Sequence, residues 1–307
     1  MMTRTHKIAY SFLAQFVLLL ILYMVATLFG AVKFLSPAEP LALSLPHNQI
    51  SALSNILFNL AIVSGLLGGG VYIAAGQRPD NQAANESLLR YSQWAWTVLL
   101  ALAVLAGILG LYNGRSMLEL PSLLVLAQIV VMIAIGINIF LTARTTIIQV
   151  WLLGLGISTV CALMSLIMSP DYLQDRGLRL LAVGLNLNAG YTLMTLAMGY
   201  WLMHRFSNLT PAWLENDINI AAGLMVLAGI SISLPPLLRF GAPEWAGTLG
   251  NIAVFAAPIL YLTAAARGYK ALADRNTAQT LSAHWFTLSL LLLLLGPGLL
   301  GGLMATP

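Results

Sequence analysis

Apolar positions in this chain come in long unbroken runs, separated by short clusters of Gly, Pro, Asn, Asp, Arg and Glu. A run of about 20 such residues crosses the hydrocarbon core of a bilayer as one helix. Nine runs qualify, at 9–34, 51–75, 92–112, 121–142, 147–168, 178–203, 217–238, 246–266 and 282–304. The pattern predicts an all-α fold, a polytopic membrane helix bundle of about nine transmembrane helices forming a single transmembrane domain over 1–307. The first run follows "MMTRTHK" and outlasts the ~7–15 residue core of a signal peptide, with no small-residue cleavage site behind it, so it is read as a retained helix.

Composition agrees with the pattern. Of 307 residues 59% are hydrophobic and 8% are charged, against about 25% charged in an average soluble chain. The one cysteine, Cys161, lies inside an apolar run and reads as a small packing residue, which leaves no disulfide framework and no thiolate metal site. The net charge of +4 matters through its placement in the loops. With the N-terminus in the cytoplasm, Arg4, Lys7, Arg78, Arg90, Arg144, Arg205, Arg267, Lys270 and Arg275 lie inside, and Lys33, Arg115, Arg176, Arg179 and Arg239 outside. That bias favours an N-inside orientation. Membrane lipids are the expected surroundings, and nucleic acid is not an expected partner.

The spans carry little chemistry. Every carboxylate falls in a loop or at a helix end, and no ionisable residue falls at the middle of a span. That argues against a pump or proton-coupled carrier, which needs groups that carry charge across. His6 precedes the first run, His47 lies in the loop before the second, and His204 and His284 fall at helix ends. The polar residues that enter spans are Asn55, Asn59, Gln128, Asn138, Asn186, Asn188 and Asn251, expected to hydrogen-bond between helices. Asn186 and Asn188 are about 200° apart around an α-helix and are not expected to line one cavity. Glycines in "SGLLGGG", "AGILG", "LGLG" and "GPGLLGG" read as helix-packing positions. They form no phosphate-binding loop. Pro235 and Pro236 remove two backbone donors in succession, so the seventh helix is expected to bend or end near Ile232.

"NGRSMLELPSLLVLAQIVVMIAIGINIFLTAR", residues 113–144, resembles the segment between helices three and four of the large subunit of bacterial nitric oxide reductases, members of the haem-copper oxidase superfamily. Gly114, Arg115, Leu118, Glu119 and Pro121 match its G-R-E-x-L-E-x-P pattern, and Ser116 replaces the first acid. "LPHN" with "SNILFNLAIVSGLLGGGVYI", "SPDYLQDRGLRLLAVGLNLNAGYTL", "LENDINIAAGLMVLAGISISLPPLLRFGAP" and "WFTLSLLLLLLGPGLLGG" are similar to its second, sixth, seventh and ninth helices. The resemblance implies the first nine helices of such a bundle. It also places Leu53, Leu185, Pro235 and Pro236 where the family has ligand histidines, and Ala189 where it has a glutamate. Helices ten to twelve of the family have no counterpart.

The resemblance therefore implies a redox-inactive homologue, with no catalytic, cofactor-binding or metal-binding residue and no cofactor. Its expected role is that of a structural, assembly or regulatory subunit of a respiratory or nitric-oxide-handling complex in the bacterial cytoplasmic (inner) membrane. A membrane protein partner or a homodimer is expected. Two other readings stand beside it: a binder or carrier of a small apolar solute such as quinone, and a haem-binding oxidase or reductase subunit. The latter would use unorthodox ligands such as His47 or His204, or helices supplied by another chain.

Overall fold

The computed structural model describes residues 3–35, 45–113, 119–167, 172–207 and 211–238. Among these residues all regular structure is helical. The helices are α1 (Arg4–Leu35), α2 (His47–Gly76), α3 (Glu86–Ile108), α4 (Ser122–Thr142), α5 (Thr146–Met164), α6 (Tyr172–Leu185), α7 (Thr192–Ser207) and α8 (Pro211–Leu238), with a π-helical turn, Asn186–Tyr191, joining α6 to α7. Six of the segments are long and apolar enough to cross a membrane, with α6, the π-turn and α7 counted together over Asp175–Leu202. The protein is a multi-pass membrane helix protein. α8 coincides with the seventh expected span and holds a shorter apolar core, Ile218–Leu227. The eighth and ninth expected spans, with His284, Asn251 and the glycines of 296–302, lie outside the described residues.

Helix limits follow local chemistry more closely than hydropathy. α3 starts at Glu86, six residues before its apolar run, because Asn85 caps it: the Asn85 side chain accepts from the Leu88 amide at 2.9 Å. It stops at Ile108 because Gly110 adopts φ +73°. The chain then folds back, with the Leu111 amide on the Ala106 carbonyl and the Gly110 amide on that of Gly107, a Schellman closure. α8 departs from expectation in the other direction. It continues past Ile232 and through both prolines to Leu238 rather than ending early. Proline holds φ near −65°, a helical value, so Pro235 and Pro236 can lie within α8 although each lacks an amide donor.

The chain divides into two compact units, Met1–Ala143 and Arg144–Pro307. In the first, α2 is the central element and packs against α1, α3 and α4. Gly68 of α2 lets α1 approach closely: a β-carbon there would lie 2.8 Å from Phe12 Cβ and 3.0 Å from the Ala9 carbonyl. Trp96 of α3 is fully buried and donates its indole N–H to Ser64 Oγ at 2.9 Å, which in turn donates to the Leu60 carbonyl at 2.7 Å. A buried indole N–H with no partner would cost about 1–3 kcal/mol. The far sides of α1, α3 and α4 expose Val17, Leu28, Val98, Leu123, Val130 and other large apolar residues, the surface expected of helices solvated by lipid chains.

Side chains of α1 and α4 hold the loop between α2 and α3. The Thr5 hydroxyl accepts from the Ala83 amide at 3.0 Å, Thr142 accepts from the Ala84 amide at 3.0 Å, and Asn138 Nδ2 donates to the Asn85 carbonyl at 2.5 Å. Asn138 thus ties a span to a loop, a variant of the interhelical role expected of it. Asn55 does the same at the other end of α2, donating to Glu119 Oε1 at 2.8 Å. Gln128 bonds only within its own helix, to Met132 Sδ.

Candidate functional site

In the second unit α5, α6, α7 and α8 all pack around the π-turn. The segment "LNLNAGYT" bends into an i→i+5 turn at the centre of the Asp175–Leu202 span, where an α-helix would otherwise continue. Such turns strand backbone carbonyls, and in a membrane each stranded carbonyl is costly. Hydroxyls and an amide bond carbonyls in and beside the turn. Thr192 Oγ1 donates to the Asn188 carbonyl at 2.6 Å and lies 3.1 Å from that of Ala189. Thr195 donates to Tyr191 at 2.8 Å, and Asn188 Nδ2 donates back to Gly184 at 2.9 Å. The sequence pattern therefore supports the turn locally: four polar side chains follow one another within ten residues of an otherwise apolar span.

Glycines bring the neighbouring helices onto this turn. A β-carbon on Gly154 of α5 would stand 2.6 Å from the Gly190 carbonyl, and one on Gly229 of α8 would stand 2.7 Å from Ala189 Cβ. Gly184 of α6 faces Ser233 of α8, whose buried hydroxyl donates to the Gly229 carbonyl at 2.6 Å.

Two oxygens beside Gly190 remain unmatched. Ser158 Oγ, on a residue 2% exposed, and Asn186 Oδ1 are buried with no hydrogen-bond partner. The Trp151 indole N–H is also buried without a partner. Asn188 bonds back to the Gly184 carbonyl, whereas Asn186 Oδ1 lies beside Gly190.

The positions assigned by resemblance to family ligands can now be placed. Leu53 sits half-buried on α2 against Gly107 of α3, whose β-carbon would meet Leu53 Cδ1 at 2.6 Å. Ala189 is fully buried against Gly229. Leu185 is half-buried at the end of α6. None of these three carries a donor atom, so they do not fit a haem or a metal at those positions. Among the described residues no group of three His, Cys, Asp or Glu side chains could hold a metal ion.

The histidines are dispersed. His6 Nδ1 lies 2.7 Å from Thr3 Oγ1 and its ring meets Tyr72 edge-on. His47 is the first residue of α2 rather than a loop residue, and its Nδ1 donates to the Gly30 carbonyl at 3.1 Å, joining the ends of α1 and α2. His204 lies on α7.

Sequence reasoning missed the π-turn. A signal for it was present in the succession Asn186, Asn188, Gly190 and Thr192, residues able to bond their own backbone or lie flat against another helix. Asp175 and Arg179, the latter expected outside the membrane, fall within the Asp175–Leu202 segment near the start of α6 and form an ion pair in which Asp175 is 5% exposed. No family model matches this chain, and no curated protein matches it.

Proposed function

We propose that this chain is a non-catalytic membrane subunit, a structural, assembly or regulatory partner in a respiratory or nitric-oxide-handling complex. In this reading it is a redox-inactive relative of the nitric oxide reductase and haem-copper oxidase large subunits. It lies in the bacterial cytoplasmic membrane with its N-terminus inside and crosses nine times.

The observation that carries the reading is the use of the positions that resemble ligand sites for helix packing. Leu53 fits against Gly107 and Ala189 against Gly229, each pair at a separation that leaves no room for a larger residue on the glycine. A position that coordinates a metal presents a lone pair to it; these present methyl groups to a neighbouring backbone. Protein interiors are close-packed, so apolar volume at such a position supports the bundle itself. The remaining function is contact with other membrane chains, which small residues on helix faces favour.

The test is purification in mild detergent from the native membrane, followed by mass spectrometry of the chains that accompany the protein. One reproducible partner, or a homodimer, is the expected result. A monomer free of stoichiometric partners in both detergent and native nanodiscs would refute the reading.

A further inference from the structure

Along the contact between α1 and α3 in the first unit, polar side chains pair level by level. Gln15 Nε2 donates to Thr97 Oγ1 at 2.7 Å, Gln93 Nε2 donates to Ser11 Oγ at 2.9 Å, and the Thr5 hydroxyl donates to Glu86 Oε1 at 3.1 Å. The two helices therefore run side by side in the same direction. Lys7 precedes Ser11 by four residues and Arg90 precedes Gln93 by three, so each shares a helix face with its bonded neighbour. At 1.5 Å per residue they stand about 6 Å and about 4.5 Å further out, at nearly one level. The adjoining levels join a donor to an acceptor, whereas this one opposes two cations. Arg4 adds a third, three residues before Lys7. Arg4 and Lys7 also lie in the first turn of α1, whose own positive end repels them. Among the described residues none of the three forms an ion pair. The described carboxylates at this end are Glu86, bonded by Thr5, and Asp80, paired with Arg78.

One turn further along each helix, Tyr10 follows Lys7 and Trp94 follows Arg90; both are exposed, as is Tyr91. Tyrosine and tryptophan concentrate at the headgroup level of a bilayer, which sets Lys7 and Arg90 among headgroups rather than in hydrocarbon. Beyond Trp94 the same face of α3 exposes Val98 and Leu102, a surface suited to an acyl chain. We propose that Lys7 and Arg90 clamp the phosphate of one anionic phospholipid, with Tyr10 and Trp94 beside its glycerol and a chain along Val98 and Leu102. The guanidinium offers a fork to two phosphate oxygens and the ammonium a point charge. Three cations against Glu86 leave a positive surplus, which an anionic headgroup neutralises and a zwitterionic one, carrying its own ammonium, does not. The site rests on α1 and α3 alone, so it stands or falls independently of the proposed subunit role.

Native mass spectrometry of the full chain in dodecyl maltoside micelles, titrated with dioleoylphosphatidylglycerol or dioleoylphosphatidylcholine, tests it. One phosphatidylglycerol should be retained per chain, with an affinity at least about tenfold above that for phosphatidylcholine. Lys7→Gln and Arg90→Gln should each lower the phosphatidylglycerol affinity by about fivefold, the usual worth of one basic residue beside an anionic lipid, and together should abolish the preference. Arg78→Gln, at the same end but already paired with Asp80, should change it by less than about twofold. Thermal unfolding separates a clamp from a merely structural role. Without lipid, Arg90→Gln should leave Tm unchanged or raise it, because it relieves the opposition to Lys7. With phosphatidylglycerol present it should lose most of the stabilisation that the lipid gives the unmodified chain. An equal loss of Tm with and without lipid would overturn the proposal. So would equal retention of the two lipids, or equal effects of Arg78→Gln and Arg90→Gln. Protection by inorganic phosphate as large as that by phosphatidylglycerol would overturn it too, by assigning the site to a free anion.

Discussion

Leu53 of α2 and Gly107 of α3 fit so closely that a β-carbon on the glycine would stand 2.6 Å from Leu53 Cδ1. The contact is mutual: the leucine fills the space that the glycine leaves. Gly107→Ala should therefore destabilise the first unit by about 1–3 kcal/mol, the usual cost of overpacking. Adding Leu53→Ala should return part of that loss, because the shorter side chain makes room for the new methyl. A double-mutant cycle read by thermal unfolding in detergent should show coupling of about 1 kcal/mol or more. Strictly additive effects would mean that the two residues do not share this space.

The second unit offers the same test with an internal control. Gly229 faces Ala189, with the Ala189 amide nitrogen also 3.0 Å from a β-carbon position, whereas Gly223 on the same helix has nothing within 4 Å. Gly229→Val should cost at least about 2 kcal/mol, since backbone cannot move aside cheaply. Gly223→Val should change stability by less than about 1 kcal/mol. Similar losses at both sites, measured by resistance to unfolding in mixed detergent micelles, would contradict the packing described around the π-turn.

Hydroxyls that hold the α2–α3 loop should be visible in hydrogen exchange. Thr142→Val removes the acceptor of the Ala84 amide, and Thr5→Val removes that of Ala83. Each substitution should speed exchange at its own amide by about 5–10-fold, equivalent to the ~1 kcal/mol of one net hydrogen bond. The other amide should change little. Unchanged exchange at both positions would show that these bonds do not hold the loop.

Orientation is open to direct chemistry. Cys161 is buried, at 2% exposure, so a cysteine introduced elsewhere can be labelled against a silent background. With the N-terminus in the cytoplasm, a membrane-impermeant maleimide applied from outside should reach Ser116→Cys and leave Asn81→Cys untouched. The reverse pattern would invert the topology.

The order of the first seven hydrophobic runs was legible in the sequence because span length is a coarse physical requirement. Each run has a helix over it, from α1 to α8, with α6 and α7 sharing one. Their limits were less legible. Asn85 begins α3 in a polar stretch that hydropathy passes over, and the positive φ of Gly110 closes it before the run is exhausted. The π-turn was not read at all, since an apolar run has the same composition whether its backbone follows i→i+4 or i→i+5 bonding. The Thr192 and Thr195 hydroxyls that bond carbonyls of the turn are ordinary residues whose meaning depends on the turn being there. Pro235 and Pro236 were read as bending or ending the helix because each removes a donor; α8 does not end there but extends to Leu238. Of the candidate site, the individual polar residues were legible; their convergence on Gly190 required the close approach of α5, which Gly154 permits.

In the proposed reading, the positions that resemble oxidase ligand sites are packing positions in this chain. That reading is tested most directly by one absorbance spectrum, with haem and metal content per chain, of protein purified gently from its native membrane. The account predicts no Soret band and no stoichiometric iron or copper on the isolated chain. A Soret band at one haem per chain, retained after separation from every partner, would contradict it.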